Sequence, residues 1–404
     1  MNEPVRVMLL LSSLHGGGAE RVAVHLVNRC DPDIIDVRMG LLRKAGPFVG
    51  DADVRRVDVS PIGQDWLTFE GRNSGFYRPR KLLAGAVLAP ANVASMIRAH
   101  RPQVVMSFLK GMSVLTYFVL KGLGQDRPRW IAREGNNTDA VIDDELASPT
   151  GRALIKSLTR RCYRAADCFL ANSNEMARGL ERTLELDPDR VRVIHNPIDL
   201  AHVRRQAAEP ISWPKERPFI VTAGRLEHQK GHDILLRAFA ASKRARGLHL
   251  VILGRGSLEG DLRRQAAQLG IADRVRFEGF RANPWAWISK AALFVLPSRW
   301  EGFPSVVAEA LACHVPILVT ACDYGPREVV EHGQSGWVVA PDDPDAFARG
   351  MDMLLARPEL GSRFAVNGKT RAACFDIHPM VDAYTRLFME QAAMPVEQAL
   401  AASA

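Results

Sequence analysis

The sequence predicts an α/β protein of two similar halves, each a doubly wound parallel sheet with helices on both faces. Three observations carry this. Apolar β-rich runs alternate with helical patterns along most of the chain. The length, 404 residues, exceeds what one hydrophobic core usually supports, so two domains are expected. After a proline-containing stretch near residue 200 the same alternation begins again.

In the first half the expected strands are Val5 to Leu11, Val37 to Leu42, Val104 to Phe108, Trp130 to Arg133, Cys168 to Ala171 and Val191 to Ile194. Residues 201–218, AHVRRQAAEPISWPKERP, contain three prolines and read as a linker. The second half opens with the strand Phe219 to Ala223, followed by strand Leu248 to Leu253, helix Leu258 to Leu269, and strands Val275 to Phe277 and Leu293 to Leu296. A helix from Pro304 and a strand Pro316 to Val319 come next. The expected boundaries are 1–198 for a first domain, 199–376 for a second, and 377–404 for a terminal helix packing back on the first domain, with a frayed tail.

Composition excludes several classes. Hydrophobic residues at 47% and charged residues at 24% fit an ordinary globular enzyme and not a disordered chain. The opening apolar run is too short for a signal-peptide core, and no stretch approaches the roughly 18 apolar residues of a membrane span. The six cysteines show neither CxxC pairs nor zinc-ligand spacing, as expected of reduced thiols in a cytoplasm. The net charge of +8 is concentrated: between Gly71 and Arg133 eleven Lys or Arg face one acid, Asp126. Such a run suits either a solvated surface with snorkelling stems or an anionic partner. Trp66, Phe69, Phe76 and Tyr77 beside Arg78 to Lys81 point toward peripheral contact of the 66–133 region with an anionic membrane. No nucleic-acid module accompanies the charge, so nucleic acid is not an expected partner.

Three features carry chemistry. The loop after the first strand, HGGGAER, places Gly16 and Gly17 before a helix start, where glycine lets backbone approach a ligand and the helix end attracts phosphate. A second loop, AGRLEHQKG, follows the strand Phe219 to Ala223 and sets Arg225 and Lys230 at its carboxyl end, beside Gly224. A forked guanidinium and a compact ammonium together neutralise a diphosphate. The third, SRWEGFPSVVAEAL, separates Glu301 from Glu309 by seven residues, Glu301 in a loop and Glu309 within a helix. Glu301 can accept hydrogen bonds from a sugar, and Glu309 from paired ribose hydroxyls. Gly302, Phe303 and Pro304 would bring backbone to the same sugar, Pro304 lacking an N–H of its own. Each feature alone has a bland reading: a tight turn, two loop cations, two acids near a helix start. Their coincidence at strand carboxyl ends favours a nucleotide-sugar site.

These motifs, with YGPREVVEHGQSGWVV, resemble the retaining glycosyltransferases of family 4 over nearly the whole chain. The resemblance implies the GT-B fold, two facing Rossmann-like domains with an interdomain cleft. It also implies donor phosphates against Gly16 and Gly17, diphosphate on Arg225 and Lys230, and ribose on Glu309. Glu301 would grip the donor sugar with backbone around Gly302 and Phe303, and the loop of Phe280 and Arg281 would flank the base. The implied reaction replaces the nucleotide on the same face of the sugar, needs no metal or cofactor, and assigns catalysis to Arg225, Lys230 and Glu301. One departure is AREGNN, where many relatives have a histidine; Glu134 or Asn136 stands in as a sugar or acceptor contact. The expected donor is a UDP-hexose or UDP-N-acetylhexosamine, then GDP-mannose. The expected acceptor is a lipid-linked or polysaccharide glycan of bacterial surface or glycoprotein assembly, modified at the inner membrane face. A sugar-nucleotide epimerase of the same fold and a catalytically silent nucleotide-sugar-binding protein are the competing readings.

Overall fold

The computed structural model describes residues 3–15, 17–59, 79–214 and 217–395. The chain divides into two compact units, 1–197 with 378–404, and 198–377.

The first unit holds seven strands: β1 (Val5–Leu11), β2 (Ile35–Leu41), β3 (Val57–Val59), β4 (Val104–Phe108), β5 (Arg129–Arg133), β6 (Cys168–Ala171) and β7 (Val191–Val193). All pair parallel, in the order β3-β2-β1-β4-β5-β6-β7. The strand β4 is buried throughout, and β1 from Val7 to Leu11, because helices cover both sheet faces, which is why these strands read as continuous apolar runs. The helix Ile377–Ala393 enters this unit's core through Tyr384, Leu387 and Phe388.

The second unit holds β8 (Phe219–Ala223), β9 (His249–Leu253), β10 (Val275–Gly279), β11 (Leu293–Leu296), β12 (Ile317–Thr320) and β13 (Trp337–Val339). Their order is β10-β9-β8-β11-β12-β13, again parallel throughout. Alternate residues feed separate cores on the two faces: Val221, Val251, Phe294 and Val319 on one, Ile220, Leu250, Val295 and Leu318 on the other. In each sheet the strand order reverses at one point, between β1 and β4 and between β8 and β11. Ligands of doubly wound sheets bind outside the carboxyl ends at such a point. The GT-B assignment of two Rossmann-like domains matches this architecture.

Two expectations need correction. The stretch after Asp199 is not all linker: Leu200–Ala207 is a helix, with the Asp199 side chain accepting from the His202 N–H at 2.9 Å and Leu200 and Val203 buried. Its apolar face was obscured by the prolines downstream. Nor is the basic stretch one solvated face. Arg127, Arg129 and Arg133 are buried, Arg127 donating to both oxygens of Asp167 at 2.5 and 2.8 Å. Trp66, Phe69, Phe76, Tyr77 and Arg78 lie outside the described residues.

Candidate active site

At the reversal point of the second sheet, the loops after β8 and β11 face each other and are tied by side chains. Lys230 Nζ donates to Glu301 Oε1 at 2.5 Å, and Ser298 Oγ donates to the same oxygen at 2.6 Å. Gln229 bridges the loops: its Oε1 accepts from Arg225 Nη2 at 3.2 Å, its Nε2 donates to the Trp300 carbonyl at 2.9 Å, and its carbonyl accepts from the Arg299 N–H at 2.8 Å. Arg299 spans from β11 to the neighbouring helix, donating to both oxygens of Asp233 at 2.8 Å, to Asp342 at 2.8 Å and to the His228 carbonyl at 2.9 Å. Burial alone would raise the Asp233 carboxyl; the Arg299 hydrogen bonds and charge outweigh it and hold it below the usual range.

Close backbone approach around these loops requires glycine, two such positions lying after the neighbouring strands. Gly254, after β9, has φ +140°, and a Cβ there would lie 1.9 Å from the Gly224 carbonyl oxygen. Gly325, after β12, has φ +85°, and its Cβ would lie 2.5 Å from the Gly302 carbonyl oxygen. Gly302, Phe303 and Pro304 are buried, and Pro304 stands just before the helix Ser305–Ala312 as its cap instead of within its first turn. Glu309, on that helix, is buried and accepts from Trp285 Nε1 at 2.9 Å. Phe280 is 47% exposed, and Arg281 is paired with Glu278 and lies over the Trp287 ring at 5.6 Å. Thus Arg225, Lys230 and Glu301 are joined in one network, Glu309 is held by a different element, and Phe280 presents an open ring.

In the first unit, Gly17 caps the helix Gly18–Arg29 after β1; Gly16 lies outside the described residues. A Cβ on Gly17 would lie 2.4 Å from Glu20 Oε2, so the bare backbone there makes room for that carboxylate. Beyond β5, Glu134 is 2% exposed. Its Oε1 accepts from the N–H groups of Gly135 and Asn136 at 2.8 and 3.2 Å, and its Oε2 from Tyr163 Oη at 2.5 Å. Burial, reinforced by the Glu134 charge, pushes the Tyr163 hydroxyl well above its ordinary value, so it stays a donor. The Asn136 Oδ1 accepts from the Asn137 N–H at 2.8 Å. Glu134 and Asn136 therefore shape this loop.

Residues 203–371 match the family model described as glycosyl transferases group 1, and residues 16–202 match that of glycosyltransferase family 4. A 4-alpha-N-acetylgalactosaminyltransferase of Campylobacter jejuni, named for the substrate N-acetylgalactosamine-N,N'-diacetylbacillosaminyl-diphospho-undecaprenol, is 31% identical over 263 residues. That alignment covers 62% of this chain and 71% of the relative. The chain belongs to glycosyltransferase family 4.

A second relative of this glycosyltransferase is the lipopolysaccharide core biosynthesis protein LpsE of Rhizobium meliloti, 27% identical over 92% of this chain and 95% of its own. Among solved structures, Anabaena HepE in complex with UDP and glucose has the same fold, with TM-score 0.73 at 19% identity over 96% of this chain and all of the other. The glycosyltransferase motifs were legible as spacing, but their supports were not. Gln229 and Ser298 lie inside the motifs as ordinary polar residues, and Arg299 gave no signal before Asp233 and Asp342 were brought to it. The Gly254-Arg255-Gly256 turn after an apolar run was a readable sign of close backbone approach. Trp285 had none.

Proposed function

We propose that this glycosyltransferase moves a hexose or N-acetylhexosamine, with retention, from a nucleotide sugar to a lipid-linked or polysaccharide acceptor in bacterial surface-glycan or glycoprotein assembly. The observation that carries the reading is the Lys230–Glu301 contact of 2.5 Å, with Arg225 tethered beside it through Gln229, at the reversal point of the second sheet. A donor diphosphate brings two negative phosphates to this place. Lys230 and Arg225 stabilise the charge that grows on the departing phosphate as the glycosidic bond breaks. Glu301, released from Lys230, accepts hydrogen bonds from sugar hydroxyls, and Glu309 accepts those of the ribose. The leaving phosphate takes the acceptor's proton, so the step requires neither a separate base nor a metal.

A UDP-sugar is the favoured donor, consistent with UDP in the HepE complex, and GDP-mannose the second. The undecaprenol-linked substrate in the Campylobacter relative's name supports a lipid-linked acceptor. Among the described residues no helix is long and apolar enough to cross a membrane. Phe118, 51% exposed one turn before exposed Lys121 on the helix Leu109–Leu123, supports peripheral contact at the cytoplasmic membrane face. The test is binding and slow hydrolysis of UDP- and GDP-sugars with EDTA present, with the product anomer read by NMR, in wild type, Lys230→Ala and Glu309→Ala. Selective turnover of one donor to the retained anomer, lost in both variants, is expected. Binding of none, or release of the inverted anomer, overturns the reading.

A further inference from the structure

We infer that Trp285 is a positioning residue for the nucleotide's ribose: its indole N–H fixes the Glu309 carboxylate in the plane from which it meets the ribose hydroxyls. The inference rests on the reading that Glu309 takes the ribose. Glu309 lies on a short helix, Ser305–Ala312, and is 6% exposed. A glutamate has three rotatable side-chain bonds, so a helix alone does not aim its carboxylate. Trp285 Nε1 donates to Glu309 Oε2 at 2.9 Å from a different element, the turn Trp285–Ile288 that follows Pro284.

That turn is itself immobilised. Trp285 is 5% exposed within an apolar core, its ring edge-on to His202 at 5.2 Å between centroids. The Asn283 Oδ1 accepts from the Ala286 N–H at 3.1 Å, and the Asn283 amide donates to the Gln206 carbonyl and to Glu209 at 2.9 Å. The indole is thus a rigid donor reaching from the core, and a buried indole N–H is satisfied by aiming at an acceptor. With one carboxylate oxygen taken by Trp285, the direction of the other is set before nucleotide arrives. Preorganisation of this kind raises affinity by removing an ordering cost.

Trp285→Phe keeps an aromatic ring and removes the N–H. Binding of UDP and of GDP, each paired with its 2′,3′-dideoxy form, is measured by calorimetry on the full chain, with thermal melting to confirm folding. For the nucleotide that binds, Trp285→Phe is expected to weaken the ribonucleotide about tenfold, the scale of one hydrogen bond to a charged group. The dideoxy form should change less than about twofold on the same scale. Equal weakening of both forms means that Trp285 only packs, and the inference fails. Glu309→Gln separates the two claims. If it leaves the preference for ribose over dideoxyribose intact, the ribose reading itself is wrong. If it abolishes the preference while Trp285→Phe preserves it, only the inference is wrong. A Trp285→Phe chain that does not fold is replaced by Trp285→Tyr, which likewise lacks the indole donor and is held to the same outcomes.

Discussion

The Lys230 ammonium and the Glu301 carboxylate neutralise each other in the absence of donor, with side chains only 14% and 6% exposed. Removing Lys230 therefore leaves a buried carboxylate without its cation, and under the proposed function it also deletes phosphate stabilisation. Lys230→Ala is expected to lower kcat by about 10²–10³, the usual effect of losing one preorganised donor to developing charge, and steady-state assays with the cognate donor check it. Two residues along, His232 is buried, both ring nitrogens lack partners, and burial together with the Lys230 charge lowers its pKa from 6.5 to about 3. Between those two values the unfolded chain binds a proton that the folded chain refuses. Stability is thus intact above pH 6.5 and declines as pH falls toward 3, by about 1.4 kcal/mol per pH unit from this group. Urea titrations at pH 7, 6 and 5 should show a shallower decline in His232→Leu; parallel declines would refute the assignment.

At the scale of elements, the loops at the strand ends hold the candidate site and depend on backbone that only glycine accommodates. Gly254→Ala places a methyl group at φ +140° against the Gly224 carbonyl, next to Arg225. The expected cost is about 1–3 kcal/mol, with weakened nucleotide binding, measured by thermal melting and titration. Gly247→Ala is the control: a Cβ there meets nothing within 4 Å, so stability should stay level or rise by about 0.4–1 kcal/mol. The elements were unevenly legible. The strands β1, β4, β6, β8 and β11 appeared where apolar runs began and ended, because a strand covered on both faces is apolar at nearly every position. The strands β3 and β13, three residues each at sheet edges, carried too short a pattern to announce themselves. The helix Leu200–Ala207 was lost among prolines for the same reason of length.

For the whole molecule, the chain leaves the first unit after Pro197 and returns at His378. The return has energetic consequences. Tyr384, Leu387 and Phe388 are buried in the first unit, Tyr384 Oη accepts from Arg133 Nε at 3.0 Å, and Gln391 Oε1 accepts from Arg129 Nη2 at 2.9 Å. Truncation after Ile377 removes three large core side chains, each worth about 1.5–3 kcal/mol of burial, and takes hydrogen-bond partners from two buried arginines. Limited proteolysis of the truncated chain should cut the first unit readily and leave 198–377 intact. Equal resistance of both units would show that the terminal helix contributes little.

By itself the sequence determined the fold class and the family, because each is written in local terms: apolar period, glycine and charge at strand ends, and two glutamates at fixed spacing. It also separated the cations suited to a diphosphate from the carboxylates suited to hydroxyls, since that division follows from side-chain chemistry alone. Only the tertiary structure decided what supports them. Gln229 reaching the Trp300 carbonyl, Arg299 clamped by Asp233 and Asp342, Trp285 aiming Glu309, and Glu134 turned to Tyr163 all join residues from separate elements. Such partnerships depend on strand order and register across a parallel sheet, where neighbours in space are distant in sequence. No local pattern encodes them.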